Sequence, residues 1–404
     1  MANILFIHQN FPGQFGRMAL ALAKQGHDVQ ALADQGRGLT DIPTHRYTLK
    51  TPPGLAESMF PNLQAQLMRS GAAAQKMLQL KAAGYQPDYI IAHPGWGDAL
   101  FVKDVWPEAH LTVFSEWFYS THGADVGFDP EFPIENAEQT AIGVRLKNTV
   151  HLHAYHAADV IYTCTEWQKE QIPELYRSKT EIVRDYIDTE TVKPNPKAAI
   201  HLHKAGKTFR VGDEVITFVN RNLEPYRGFH VFMRALPKIL AERPEAHVVL
   251  VGGDEVSYGR KHASGKTWKQ VMLEEVGAQL PLERVHFVGK LPYETYLSLL
   301  QVSACHVYLT YPFVLSWSCL EAMAAGCALV ANDVAPVREV VTDKVNGHLV
   351  DFFQTAKLSD RVVDVLKKRN SKTMQTMRTR ARQTIVDGYA DADSNLSFLL
   401  GAPK

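Results

Sequence analysis

The chain has 404 residues, with 43 Lys and Arg against 43 Asp and Glu, so its formal net charge is zero. Hydrophobic residues make up 46% and charged residues 21%, a soluble globular balance on a length that suits two domains. Zero net charge argues against a chain built to hold nucleic acid, and no segment approaches the roughly 18 uninterrupted apolar residues of a membrane-spanning helix.

Residues 1–8 carry no basic leader and read as a first strand at 4–8, not as an export signal. A helix is expected at 14–25, strands at 28–33, 89–92, 111–114 and 160–164, and long helices at 63–83 and 135–158. Strands alternating with helices indicate βαβ units and a parallel sheet. Lys193-Pro194-Asn195-Pro196 has the chemistry of a linker, and a polar stretch follows it to Asp213. The rhythm then restarts with a strand at 215–220. Helix 229–242 puts Phe229, Phe232, Met233, Leu236 and Leu240 on one face and stops before Pro244. Strands follow at 247–251, 285–288, 306–309 and 328–331. The expected organisation is α/β: a domain at 1–200, a second at 201–385, and a segment at 386–404 packing back on the first. Cys164, Cys305, Cys319 and Cys327 form no CxxC pair and read as reduced, buried thiols of a cytosolic protein.

Open parallel sheets bind ligands at the carboxyl ends of their strands, so the chemistry is sought in those loops. After the first strand, Phe11-Pro12-Gly13-Gln14-Phe15-Gly16 leads into a helix. A glycine turn at a helix start offers N–H groups and the positive dipole end to anionic oxygen. The GxGxxG spacing is absent, so a dinucleotide is poorly supported, and a tight turn without ligand is the alternative. Strand 215–220 runs into Arg221-Asn222-Leu223-Glu224-Pro225-Tyr226-Arg227-Gly228. Two arginines around a proline turn suit a diphosphate, because guanidinium groups bind oxygens in pairs and never lose charge. Surface arginines paired with Glu224 or solvent are the plain alternative. Glu321 sits in the small, apolar run Leu320-Glu321-Ala322-Met323-Ala324-Ala325-Gly326, where a carboxylate is costly unless it is partnered. A vicinal diol satisfies it with two hydrogen bonds; backbone amides would also do so.

Arg221, Arg227-Gly228 and the run from Leu320 to Gly326 resemble the retaining glycosyltransferases of family 4, in a bacterial subgroup. The glycine loop at 13–16, Asp188, Val288-Gly289-Lys290-Leu291-Pro292 and Asn346-Gly347 extend the resemblance over nearly the whole chain. It implies the GT-B fold, two Rossmann-like doubly wound domains facing a central cleft, with the acceptor on the first and the donor on the second. It also implies transfer of a sugar from a UDP- or GDP-type donor to a hydroxyl acceptor, in bacterial glycan or glycoconjugate synthesis, without cofactor or metal.

Carried onto this chain, the family's diphosphate grip falls on Arg221 and Arg227, with Arg227 where a lysine is usual, and its ribose contact on Glu321. The backbone of Gly289, Lys290 and Leu291 would line the base pocket. Leu315, Ser316 and Trp317 would turn amides to the phosphates, and Gly13 and Gly16 belong to the donor-binding loop. Eight residues before Glu321 the family commonly has a second Glu that grips the donor sugar; here it is Phe313, which accepts no such bond, so either main-chain groups take over or the sugar differs there, and altered sugar selectivity is expected. Near the reacting centre the family often carries a His after the fifth strand; here Glu116 or Ser115 occupies that zone, and His93 in His93-Pro94-Gly95-Trp96-Gly97, after the preceding strand, is the other candidate. No acid–base dyad is evident, which suits same-face attack assisted by the leaving phosphate.

A metal-dependent transferase would need clustered carboxylates, and Asp391-Ala392-Asp393 reads as solvated surface. Of His151, His153 and His156, only the last two share a helix face, too few for a closed zinc site. A sugar-nucleotide 2-epimerase or a non-catalytic sugar-nucleotide sensor would share the diphosphate grip. Arg69, Lys76 and Lys81 beside Leu63, Leu67, Met77 and Leu80 leave peripheral contact with the inner membrane face open, although a core-facing stripe looks the same.

Overall fold

Ile4-Leu5-Phe6-Ile7 has no polar position to turn to solvent, so a strand made from it needs cover on both faces, as a parallel sheet between helices provides. All four residues are fully buried. In the computed structural model, which describes residues 1–50, 54–55, 60–390 and 398–399, they form β1 (Asn3–Ile7). It is followed by β2 (Asp28–Ala33), β3 (Thr44–Arg46), β4 (Tyr89–Ala92), β5 (His110–Phe114), β6 (Val160–Thr163) and β7 (Thr180–Ile182). These strands make one parallel sheet in the order β3-β2-β1-β4-β5-β6-β7. Alternation along β1 sends Leu5 and Ile7 into a core with Met77 and Tyr155, and Ile4 and Phe6 into one with Phe15 and Leu22.

The second sheet is also parallel. It contains β10 (Val215–Asn222), β11 (His247–Gly253), β12 (Val285–Gly289), β13 (Cys305–Tyr308), β14 (Leu329–Asn332) and β15 (His348–Val350), in the order β12-β11-β10-β13-β14-β15. A hairpin of β8 (Ala199–Leu202) and β9 (Lys207–Arg210) precedes it. That hairpin lies where a polar stretch was expected. Its period of two is carried by Ile200, Leu202 and Phe209, which pack with Val215, Val249 and Leu299, while intervening polar residues stay outside.

The chain divides into Met1–Arg184 with Asp391–Lys404, and Asp185–Ala390, so the boundary expected at 200/201 moves to 184/185. The expected linker at 193–196 and the stretch before it are tied to the second unit, with Gln301 donating to the Lys193 carbonyl at 2.8 Å. Ile187 N–H donates to the Tyr389 carbonyl, and Arg382 donates to the carbonyls of Thr189 and Val192. The helix Lys372–Tyr389 likewise stays with that unit, past the expected end at 385. At the far end of the chain, Leu399 is buried among Ile4, Phe6 and Phe15 in the first unit.

Helix Pro61–Ala82 turns Met77 and Leu80 into the core, sets Arg69 3.7 Å from Asp34, and caps the Val105 carbonyl with Lys81. Among the described residues no helix is long and apolar enough to cross a membrane. The four cysteines are free thiols, and burial pushes Cys327 up to about 12.

Buried histidines make the fold acid-sensitive. Burial pushes His8 and His151 down to about 4 and His306 down to about 3. Their folded values lie below the unfolded value of about 6.5, so the stability they confer is complete above that pH and is lost as pH falls toward 4. At pH 5 each of the first two costs on the order of 2 kcal/mol. The expected result is a melting temperature lower by roughly 10 °C at pH 5 than at pH 7.5, read by differential scanning calorimetry. An unchanged or higher value at pH 5 would contradict it.

Candidate active site

In both sheets the strand order reverses, between β1 and β4 in the first unit and between β10 and β13 in the second. The carboxyl ends of such strand pairs form the crevice where open α/β sheets bind ligands. In each unit the polar residues of interest gather there.

In the first unit His8 follows β1 and His93 follows β4. Asn10 N–H donates to His8 Nδ1 at 3.0 Å, which leaves the proton on Nε2, 2.8 Å from Gln14 Oε1. The Gln14 amide then donates to Glu116 Oε1 at 3.1 Å. Gly95 N–H donates to His93 Nδ1 at 3.1 Å, so His93 Nε2–H points at Glu116 Oε2, 3.2 Å away. The result is one hydrogen-bonded chain, His8–Gln14–Glu116–His93, with every tautomer set by a backbone amide. Trp96 stacks on the His93 ring at 4.4 Å. Burial raises the Glu116 carboxyl, but the bonds from His93 and Gln14 outweigh it and hold the group below the usual carboxylate range. Its side chain remains 29% exposed. Ser115 is sequestered against the Tyr155 hydroxyl, which leaves Glu116 as the polar group of β5's end.

Gly13 is at φ +48°, and a Cβ there would lie 2.4 Å from the His8 ring, so only glycine fits between loop and imidazole. Gly16 opens the helix Gly16–Lys24 against Pro12. His151 is buried beside His93, while His153 and His156 are exposed, so the three form no ligand set.

In the second unit the two arginines part company. Arg227 is buried and its Nη1 donates to Thr310 Oγ1 at 2.7 Å and the Val314 carbonyl at 3.2 Å. Its guanidinium lies over the rings of Tyr258 and Phe313, at 5.2 and 5.7 Å. Arg221 is exposed, and among the described residues its side chain has no hydrogen bond or ion pair. Glu224 pairs with neither arginine; it accepts from the backbone N–H groups of Ser257, Tyr258 and Gly259 at 2.8–3.3 Å and so fixes the loop that brings Tyr258 over Arg227. Gly228, at φ +67°, has the Leu309 side chain where its Cβ would be.

The loop after β13 carries Phe313 and Leu315, both buried, to Ser316, whose Oγ caps the helix Trp317–Ala324 by accepting from Ser318 N–H and whose own N–H, expected to turn to the phosphates, instead donates to the Tyr308 hydroxyl at 2.9 Å. Trp317 is exposed. Glu321 lies in that helix's second turn, buried, with Oε1 accepting from Tyr293 at 2.7 Å and Oε2 from Tyr296 at 2.8 Å. Gly289, at φ +68°, turns the chain from β12 into exposed Lys290 and half-buried Leu291. A cavity of about 980 Å³ between β8 and β12 is lined by Val288 and Leu291 but by neither Arg227 nor Glu321, so volume does not mark this site. Asp391 and Asp393 lie outside the described residues.

Residues 25–192 match the model of a family described as Glycosyl transferase family 4 group, and residues 201–384 match Glycosyl transferases group 1. The chain belongs to the family 4 glycosyltransferases. Among the relatives of this glycosyltransferase is the glycogen synthase of Mycobacterium tuberculosis, 23% identical over 94% of this chain and 90% of the relative. Its fold is GT-B, shared with the sucrose-phosphate synthase of Thermosynechococcus elongatus at TM-score 0.71 and 14% identity, over 99% of this chain and 97% of that one. Anabaena HepE, solved with UDP and glucose, superposes at TM-score 0.69 with 15% identity over 99% of each chain.

His8, Gln14, Glu224, Tyr258, Tyr293 and Tyr296 were not among the expected site residues of this glycosyltransferase. His8 had a signal, since it is polar at a strand's carboxyl end beside a glycine loop. Tyr258 and Tyr293 had none, because the contacts they make join loops far apart in the chain.

Proposed function

We propose that this glycosyltransferase moves a sugar from a UDP- or GDP-type donor to a hydroxyl acceptor with retention of anomeric configuration, in bacterial glycan or glycoconjugate synthesis in the cytoplasm. The observation that carries the reading is the buried Arg227 guanidinium, bonded to the loop that opens the helix bearing Glu321. As the bond from the anomeric carbon to phosphate oxygen breaks, charge grows on the nucleoside diphosphate. A fixed guanidinium stabilises it as it forms, without reorganisation in the transition state. The acceptor hydroxyl attacks from the face the diphosphate leaves, and its proton passes to a leaving phosphate oxygen, so neither a protein base nor a metal is required. Glu321 holds the ribose, and Glu116 with His93 serves the donor sugar or the acceptor hydroxyl.

The test is incubation with UDP-glucose and GDP-mannose, with and without EDTA, following diphosphate release and product configuration by NMR. Slow donor hydrolysis without acceptor, giving first the anomer of the donor and unaffected by EDTA, is expected. An isomerised donor would instead mean an epimerase, and tight binding without turnover a sensor. Phe313 is 2% exposed against Tyr226 and Tyr258. Phe313→Glu brings a carboxylate beside Arg227 and should change the ratio of the two donors' rates several-fold; an unchanged ratio removes Phe313 from sugar selection.

A further inference from the structure

Both oxygens of the Glu321 carboxylate accept a hydrogen bond from a tyrosine of one helix, Tyr293–Val302. The two tyrosines differ in how firmly they are held. Tyr296 is 9% exposed and fixed by packing, whereas Tyr293 is 44% exposed and is the first residue of the helix, directly after Pro292. Their rings lie 5.9 Å apart, on the side of the helix that faces Glu321.

A vicinal diol binds a carboxylate best when each hydroxyl reaches its own oxygen. Tyr296 cannot leave without exposing a buried ring, so the oxygen that a diol can take over cleanly is the one held by Tyr293. We propose that Tyr293 is a built-in competitor for the ribose position, whose hydroxyl must give way before a nucleotide's diol is gripped by Glu321. The proposal rests on the reading of Glu321 as the ribose contact and adds a regulation of that contact by a residue of the chain itself.

The competition lowers apparent affinity, because part of the gain from the ribose repays the lost tyrosine bond. A hydrogen bond to a charged acceptor is strong enough that removing the competitor should be readable as a change of about 3- to 10-fold. UDP is the probe, with GDP as a second arm, and binding is measured by calorimetry on the full chain. Tyr293→Phe keeps the ring and removes the hydroxyl at an exposed position, so the fold is not at stake. The expected result is tighter binding of the diphosphate that the wild-type protein prefers, by about 3- to 10-fold. The same substitution made in a Glu321→Gln background should gain less than 2-fold, roughly, since the competition runs through the carboxylate. Weaker or unchanged binding in Tyr293→Phe, while Glu321→Gln alone weakens binding, overturns the competitor and leaves the ribose contact standing. If Glu321→Gln binds as the wild type does, the ribose contact falls, and the competitor with it.

Discussion

Arg227→Lys should lower kcat/KM by about 10²- to 10³-fold at a cost of only a few degrees in melting temperature. Lysine keeps the charge, so the substitution isolates what the fork contributes. Arg227 spends Nη1 on Thr310 and the Val314 carbonyl, and its flat face lies against Tyr258 and Phe313. Under the proposed function, that anchoring fixes the orientation in which the rest of the guanidinium meets a phosphate oxygen. An ammonium has no second edge: if it bonds Thr310 it has withdrawn from the phosphate, and if it meets the phosphate it is no longer held. Loss of one preorganised donor to developing charge typically costs about 3–4 kcal/mol, which sets the range given. Arg221→Lys, at an exposed position, should cost less than about 10-fold, because an unanchored side chain contributes charge more than orientation. Steady-state kinetics on UDP-glucose or GDP-mannose decides between them; equal losses at the two positions would mean that burial gives Arg227 no special part.

Glu116→Gln should lower kcat by about 10²-fold and change the acid limb of the pH profile. The substitution is isosteric, but it replaces an acceptor with a donor in a chain where both neighbours already donate. His93 presents Nε2–H because Gly95 occupies Nδ1, and Gln14 presents its amide because His8 occupies its oxygen. One of those contacts therefore becomes donor against donor. In the wild-type protein Glu116 is ionised at neutral pH, since its folded value is held below the ordinary range. Activity that needs the carboxylate is then present above that value and falls as pH drops through it. In the Gln variant this limb should disappear while the residual rate stays level. A variant that kept the wild-type limb would assign the titration elsewhere.

The doubly wound sheets were legible because their strands are continuous apolar runs, and β2, β4 and helix 229–242 fall where periodicity put them. Short edge strands were harder. Thr44–Arg46 and His348–Val350 have three residues each, too few to carry a period, and form by pairing with neighbours already in place. Arg227 and Glu321 stood out as candidates because a charged residue next to a strand end or inside an apolar helix needs a reason, and both are buried. The unequal setting of Arg221 and Arg227 was not legible, since both read as arginines flanking one turn. What separates them is that Glu224 binds three amides of the 257–259 segment and brings Tyr258 onto one of them.

That carboxylate and Arg227 stand on one short turn, Glu224 immediately before the 3-10 helix Pro225–Arg227. Anyone grafting a different 254–267 segment onto this scaffold must therefore carry three consecutive amides in register with Glu224. A graft that misses that anchorage would strip the buried Glu224 carboxyl of its three amides and uncover the arginine together, so two supports of one turn would be lost in the same step rather than one at a time.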